Sequence, residues 1–193
     1  MTDKEVQNLI EEFRVPPHVR RHGEQVAKFA VELGEKLISK GEKIDLVLLK
    51  NAALLHDVLR VVDFKIFHPS KFNPVPPNED MEFWTSLRKK YVGLGHEEAT
   101  ARILEERGFA REAEVIRKHR FIQILSGFNT WEEKILYYAD KRTKHDKLVT
   151  LEERLSDGRE RNVPEADRHT EAQKKLEAKV YELEKEILGK IGE

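Results

Sequence analysis

Apolar residues recur at helical spacing along almost the whole chain, and this periodicity limits the fold to an assembly of α-helices. No segment shows a convincing alternation of apolar and polar residues, which would mark a β-strand. A predicted helix from Asp45 to about Val58 is apolar on more than one side, so we expect it at the centre of the molecule. Residues 63–80 contain several prolines and aromatic side chains, and they predict a long irregular loop that can serve as a lid.

Capping residues, prolines and glycines divide the remaining chain into further helices. Thr2 and Glu5 form a possible capping box at the start of the first helix, and Thr130 and Glu133 form another. The other boundaries predict helices at residues 18–40, 79–90, 96–107, 111–125, 131–145 and 164–190. The last helix carries a narrow apolar seam, which favours packing against its own domain but also suits a dimer contact. The sequence thus predicts an all-α helical bundle with a lid and a C-terminal amphipathic helix.

The length of 193 residues fits one compact domain with a short appendage. We assign residues 1–155 to the main domain and residues 156–193 to a helical extension that packs on it or at a homodimer contact. The absence of cysteine excludes disulfides, thiolate zinc sites and a cysteine nucleophile. The net charge of −1 argues against a nucleic-acid partner, and no apolar run is long enough to span a membrane. Because no segment resembles a signal peptide, we expect a soluble, cytoplasmic protein.

Six side chains that can bind a metal ion lie on or at the ends of predicted helices, although they are widely spread in the sequence: His22, His56, Asp57, His96, His119 and Asp140. A single histidine on an apolar helix face is more often a core residue than a ligand. A carboxylate on such a face, however, is costly unless it is paired or bound to a metal. Because one metal centre would satisfy all of these groups, the pattern predicts a site assembled from several helices.

His56 and Asp57 are adjacent at the end of an apolar helix, with a histidine upstream and an aspartate downstream. In this helical context the pattern resembles the HD superfamily of metal-dependent phosphohydrolases, over roughly residues 15–150. The strings that carry the resemblance are VPPHVRRHGEQVAKFA, NAALLHDVLR, GLGHEEATARILEERGF and ILYYADKRTKHD. The resemblance implies that a first metal is bound by His22, His56, Asp57 and Asp140.

The resemblance also implies a second metal. His96 and His119 match the two extra histidines of the branches that bind two ions, in which Asp57 would bridge both. We therefore expect two divalent ions, with iron or manganese as first choices, and cobalt, nickel or zinc also suit nitrogen and oxygen ligands. The chain lacks the Gly-Tyr-Pro string of the cyclic-dinucleotide branch, and Arg60 stands where the deoxynucleotidase branch has a glutamate.

The expected reaction is hydrolysis of a phosphate ester or anhydride, in a nucleotide or related small phosphate, by metal-activated water. The candidate catalytic residues are Asp57, Arg60 and Glu97. The candidate contacts to the phosphorylated substrate are Arg60, Arg120, Lys141, Lys144 and His68. Two alternatives would use the same ligands: a nucleotide-binding sensor with a structural metal, and a di-iron oxygenase.

Overall fold

The computed structural model describes residues 1–192, and its architecture is all-α. The described residues form nine α-helices: α1 Asp3–Glu12, α2 Pro17–Ser39, α3 Leu46–Leu55, α4 Asn78–Lys90, α5 His96–Glu106, α6 Ala110–Arg117, α7 Trp131–Lys141, α8 Leu151–Asn162 and α9 Glu171–Ile191. They also form one antiparallel hairpin, in which β1 Thr143–Lys144 pairs with β2 Lys147–Leu148. No helix in residues 1–192 is both long and apolar enough to pass through a lipid bilayer.

Helix α3 lies at the centre of the bundle, as its apolar sequence predicts. It packs against α2, α6 and α7. Its fully buried apolar side chains are Leu49, Ala52, Ala53 and Leu55. The Asp45 carboxylate caps the helix by accepting a hydrogen bond from the backbone N–H of Leu48. The helix ends at Leu55, earlier than expected, so His56 and Asp57 lie directly beyond its C-terminal end.

Two glycines let α2 approach α3 closely. A Cβ atom added to Gly23 would lie 3.1 Å from the backbone oxygen of Leu54. A Cβ atom added to Gly34 would lie 2.7 Å from Leu46 Cδ2. Because Gly23 directly follows His22, this close approach sets the distance between His22 and the end of α3.

Replacing Gly23 with valine is expected to lower the free energy of unfolding by about 1–3 kcal/mol, because the new side chain overpacks the α2–α3 contact. The displacement of α2 would also move His22, so the affinity for a divalent metal is expected to fall. Gly189→Val is the matched control, since nothing lies within 4 Å of a Cβ atom at Gly189 in α9. Urea denaturation and a metal titration measure the two effects. Equal results for the two variants would contradict the prediction.

The segment between Asp63 and α4 is irregular, as predicted, apart from a short 3-10 turn. Phe72 anchors it, since its buried ring stacks on Trp84 of α4 with 5.1 Å between the ring centroids. The Arg88 guanidinium on α4 also donates a hydrogen bond to the carbonyl of Phe64 at 3.1 Å. The predicted lid segment is therefore packed against α4.

Two predicted helix boundaries near candidate ligands are wrong. Helix α6 ends at Arg117 rather than near residue 125, because Arg120 adopts an extended conformation before a 3-10 turn at Phe121–Leu125. Helix α7 ends at Lys141 rather than at residue 145, because the chain turns into the hairpin, where His145 has a positive φ of 56°. The hairpin also corrects the expectation that the chain contains no strand.

The boundaries after residue 150 are also wrong. The sequence predicts no helix over residues 151–162, but α8 occupies them, and Thr150 opens it with a complete capping box to Glu153. Helix α9 begins at Glu171 rather than at residue 164, because the Thr170 side chain caps it and a 3-10 turn, Glu165–Asp167, precedes it. The chain thus places an additional polar helix beside the bundle.

Helix α9 packs against the rest of its own chain. Its buried apolar side chains are Val180, Leu183, Ile187 and Ile191. The Tyr138 hydroxyl on α7 donates a hydrogen bond to Glu184 at 2.8 Å, and Arg142 pairs with the same carboxylate at 3.3 Å. The apolar seam therefore serves packing within the chain, while a domain boundary at residue 155 and a homodimer stay predictions.

Candidate metal centre

The structure brings the six predicted ligands together around the C-terminal end of α3. His56 and Asp57 follow α3 directly, and the other four come from four further helices or their ends: His22 from α2, His96 from α5, His119 from just after α6, and Asp140 from α7. No side chain of the six is more than 15% exposed. Their convergence in a buried place is what a metal centre requires.

The first group of donor atoms surrounds Asp140 and one oxygen of Asp57. Asp140 Oδ1 lies 3.1 Å from His22 Nε2 and 3.9 Å from His56 Nε2. Asp57 Oδ2 lies 3.8 Å from His56 Nε2. Two ligands that share one ion at about 2.1 Å lie roughly 3–4 Å apart, so this spacing suits a single divalent ion.

The second group surrounds the other oxygen of Asp57. Asp57 Oδ1 lies 2.9 Å from His96 Nε2 and 3.8 Å from His119 Nε2. The two imidazole nitrogens lie 3.2 Å from each other. Asp57 therefore faces the two groups through different oxygens, which is the arrangement of a carboxylate that can bridge two ions.

Each imidazole is oriented by a hydrogen bond at its Nδ1 atom. Three donate to backbone carbonyls at 2.5 to 2.7 Å: His22 to His145, His56 to Ala53, and His119 to Ile116. His96 donates instead to the Asp63 carboxylate at 2.7 Å. An imidazole that donates through Nδ1 can present a lone pair at Nε2, so all four rings can offer Nε2 to a metal.

The donor atoms fit a divalent cation. His56 Nε2 is buried and has no hydrogen-bond partner within residues 1–192. Leaving such a polar atom unpaired costs about 1–3 kcal/mol. When His96 and His119 are both neutral, their Nε2 lone pairs also face each other at 3.2 Å, an arrangement that a cation would relieve. Nitrogen and oxygen ligands without thiolate suit manganese, iron, cobalt, nickel or zinc.

The pKa values of the site favour charged carboxylates and a neutral His56. Burial alone would raise the pKa of Asp57, but His56 and the other nearby imidazoles hold it well below its usual value. Burial would also raise the pKa of Asp140, which Lys141 and other neighbours hold well below its usual value. Burial lowers the pKa of His56 to about 4, so this ring is neutral and able to bind a metal near pH 7.

Comparison with known protein families agrees with this geometry. The chain matches the HD domain over residues 19–179, which is most of its length. The chain belongs to the HD domain family. Comparison with curated proteins and with solved structures found no match. The matched region contains all six candidate ligands and extends through α8 into α9.

The affinity of this HD domain for metal is expected to rise with pH at the His96 position. Burial lowers the pKa of His96, but the Asp57 charge and the hydrogen bonds to Asp57 and Asp63 outweigh it and raise this pKa to about 9. A metal must displace the Nε2 proton, so the affinity should rise by up to about tenfold per pH unit below that value. Conversely, charged His96 stabilises the metal-free protein fully below about pH 6.5, and this contribution is lost as the pH rises through 9.

Competition titrations against a chelator at pH 6.5, 7.5 and 8.5 measure this dependence. Asp63→Asn is the companion variant, since it weakens the hydrogen bond from His96 to residue 63 that raises the pKa of His96. We expect its affinity to level off at a lower pH than that of the natural chain. An affinity that stays constant over this range would contradict the assignment of His96 as a ligand.

The candidate metal centre of this HD domain borders a cavity of about 290 Å³, which we call the main cavity. Besides five of the candidate metal ligands, four residues predicted for catalysis or substrate binding line it: Arg60, Glu97, Arg120 and Lys141. Arg120 is exposed and forms no ion pair or side-chain hydrogen bond within residues 1–192, so its guanidinium is available to a ligand. The Lys141 ammonium is instead committed to Asp140 Oδ2 at 2.5 Å. Arg60 pairs with Asp63.

Two other predicted substrate contacts lie elsewhere. Lys144 pairs with Asp157 at 3.1 Å and lines a second cavity beside the metal centre. His68 lines neither cavity, and its Nδ1 atom bonds to the Ser70 hydroxyl at 2.8 Å. Within the predicted lid, Phe64 alone lines either of the two cavities. The structure thus puts most of this segment, including His68, away from the metal centre.

Three charged residues at the site were not predicted from the sequence. Asp63 orients His96, and Arg154 and Arg159 project from α8 to line the main cavity. A signal for α8 was present, because Arg154, Gly158 and Asn162 recur every four residues and therefore share one helix face. A four-residue spacing places side chains on one face only if the segment is a helix, and no helix is predicted over residues 151–162.

Proposed function

We propose that this HD domain is a metal-dependent phosphohydrolase that cleaves a phosphate ester or anhydride of a nucleotide or a related small phosphate. The observation that carries the proposal is the position of Asp57, between two groups of histidine Nε2 atoms and on the wall of a cavity lined by arginines. Family membership supports a metal-dependent hydrolase. The chemistry of the cavity supports an anionic substrate.

In the proposed site, Asp57 would be a ligand of two ions. His22, His56 and Asp140 would hold the first ion with it, and His96 and His119 would hold the second. Bound ions of this kind lower the pKa of a coordinated water and neutralise charge on the phosphoryl oxygens. The Nδ1 hydrogen bonds keep the four imidazoles in place during the reaction, which limits the reorganisation that catalysis requires.

The arginines of the cavity are the proposed contacts to the phosphoryl group. A guanidinium can donate two parallel hydrogen bonds to phosphate oxygens. Arg120 has no competing partner in residues 1–192. The Nη2 atom of Arg154 forms an ion pair with Asp140 Oδ1 at 3.9 Å, which is beyond hydrogen-bonding distance, so its N–H groups can still donate to a ligand. Glu97, which also lines the cavity, is the proposed acceptor for a proton from the attacking water.

The size and lining of the cavity support a small organic phosphate. Its volume of about 290 Å³ is near the lower end of the range of roughly 300–1,000 Å³ for small-molecule sites. Phe121 and Leu155 add apolar surface to the lining, and Gln173 adds a polar side chain. A mononucleotide combines an anionic group with a flat, partly polar body, and it therefore suits this lining better than inorganic phosphate alone.

A phosphate-release assay on metal-saturated protein tests this function. The panel comprises nucleoside phosphates, dinucleoside polyphosphates and small phosphate esters, and each reaction is run both with and without oxygen. We expect phosphate release that disappears when a chelator is added. Oxygen-dependent product formation would instead support a di-iron oxygenase, and tight nucleotide binding without turnover would support a sensor with a structural metal.

A further inference from the structure

A second, smaller cavity of about 130 Å³ adjoins the metal centre. It shares four lining residues with the main cavity: His22, Asp57, Arg60 and Arg154. Its remaining wall includes Lys144 from the hairpin and Arg161 from α8. The candidate metal centre therefore borders two separate spaces, and Arg154 is exposed to both.

The lining of this smaller cavity has a strong excess of positive charge. Four permanent cations line it, namely Arg60, Lys144, Arg154 and Arg161, and the one carboxylate in the lining is Asp57. Asp57 is already placed among the proposed metal ligands. His18 and His145 line the cavity as well and can add donors. Such an excess of positive charge attracts an anion. The positive potential in the cavity would increase further with divalent metal ions bound next to it.

Acidic residues around the cavity offset part of this excess, but they leave hydrogen-bond donors unused. Asp157 forms ion pairs with both Lys144 and Arg161, so one negative charge neutralises only half of the positive charge of these two residues. Asp63 pairs with Arg60. Arg154 donates through its Nε atom to the carbonyl of Thr143 at 2.9 Å. Its Nη2 atom lies 3.9 Å from Asp140 Oδ1, which is an ion pair without a hydrogen bond, and its terminal nitrogens form no hydrogen bond within residues 1–192. Donors therefore remain for an anion.

The volume indicates which anion fits. About 130 Å³ is less than half of the roughly 300 Å³ at which small-molecule sites begin, so a nucleoside does not fit. A single phosphoryl group is compact, carries up to two negative charges and accepts hydrogen bonds through three oxygens. The cavity lies beside the group of ligands at which the proposed hydrolysis takes place, so a phosphoryl group could enter it without leaving the protein.

We propose that this smaller cavity, bounded by Arg154, Lys144 and Arg161, is a binding subsite for a phosphoryl anion distinct from the one being cleaved. The proposal rests on the proposed phosphohydrolase function. Two sources supply the same chemistry: a second phosphoryl group of a diphosphate or triphosphate substrate, or the inorganic phosphate released by the reaction. In either case the organic part of the substrate occupies the main cavity.

Binding of inorganic phosphate to the full-length protein tests the subsite without requiring turnover. Isothermal titration is carried out after chelator treatment, so that phosphate cannot bind through the ions. The Lys144→Ala/Arg161→Ala double variant is expected to bind phosphate at least about tenfold more weakly than the natural chain, because it loses two charge-assisted contacts. Lys147→Ala is the matched control, because Lys147 lies on the other strand of the same hairpin and lines neither cavity.

Two further measurements separate loss of the subsite from unfolding and from phosphate binding in the main cavity. Thermal melting checks the fold, and Lys144→Gln/Arg161→Gln replaces the double alanine variant if that variant does not fold. Arg120→Ala removes a cation that lines only the main cavity, so it measures phosphate binding there. Phosphate affinity of the double variant equal to that of Lys147→Ala would overturn the subsite, whether or not the protein proves to be a hydrolase.

Steady-state kinetics then distinguish the two sources of the anion. If the subsite binds a second phosphoryl group of the substrate, the double variant lowers the ratio of kcat/KM for a nucleoside diphosphate to that for a monophosphate by about tenfold. If it binds the released phosphate, that ratio stays constant and the inhibition constant of inorganic phosphate rises by a similar factor. Either result supports the subsite, and no change in both quantities contradicts it.

Discussion

Replacing Asp57 with alanine is expected to remove both metal positions and to lower the rate of hydrolysis at least about a thousandfold. Asp57 Oδ1 and Oδ2 each face a different group of histidine Nε2 atoms, so its loss takes one oxygen ligand from both groups. Elemental analysis after metal saturation and a phosphate-release assay measure the two effects. Retention of two ions per chain would contradict the bridging position of Asp57.

The stability of the Asp57 variant needs a separate measurement, because this carboxylate also pairs with His96 in the metal-free protein. Asp57→Asn keeps the shape of the side chain and removes the charge, so it separates loss of metal from loss of packing. Asp146→Ala is the control for a general effect of removing an acidic residue, since Asp146 is exposed and pairs loosely with Arg21 at 3.6 Å. We expect its metal content and its rate to match those of the natural chain.

Replacing His119 with alanine is expected to leave one ion per chain and a slow residual hydrolysis, whereas His22→Ala should lose most of the activity. His119 Nε2 belongs to the group around Asp57 Oδ1, and His22 Nε2 belongs to the group around Asp140. Loss of the second position would leave a metal-activated water but remove charge from the phosphoryl oxygens, which we expect to cost about a hundredfold in rate. Metal content, rate and melting temperature are measured on the same samples.

His96→Ala provides the matched comparison, since it removes the other imidazole of the same group. The two variants should therefore behave alike in metal content, with one ion retained in each. If both keep two ions and the natural rate, His96 and His119 are core residues, and the site is a single-metal centre. If neither binds any ion, the two groups do not form separate positions.

Much of the fold and most of the candidate metal centre could be predicted from the sequence, because the relevant signals are local. The apolar run of α3 and the adjacent His56 and Asp57 are visible without any knowledge of tertiary structure. The other candidate ligands lie on or near apolar helix faces, where a charged or polar side chain is unusual and indicates a partner. Such a pattern identifies the elements that must meet, but it does not fix the angle at which they meet.

The remaining residues of the site are positioned by turns between helices, and the local sequence pattern does not determine the direction of these turns. His119 sits in a break after α6, and Arg120 owes its place on the cavity wall to an extended backbone conformation there. Arg154 and Arg159 reach the cavity because the hairpin after α7 turns α8 back across the site. Helix α8 is polar and exposed and therefore has little apolar periodicity. The sequence alone does not indicate where this helix packs on the bundle.

The four imidazoles differ in how far natural sequence variation can change the hydrogen bond that orients each ring. Three are oriented by main-chain carbonyls, which every residue type supplies, so point mutations of the carbonyl-bearing residues leave these hydrogen bonds available. His96 alone depends on a side chain, Asp63. A change at residue 63 could therefore adjust the proton affinity of one imidazole while the other three keep their anchors. In the proposed two-ion site, the occupancy of the second position would therefore be adjustable by a single codon, without any change at the first.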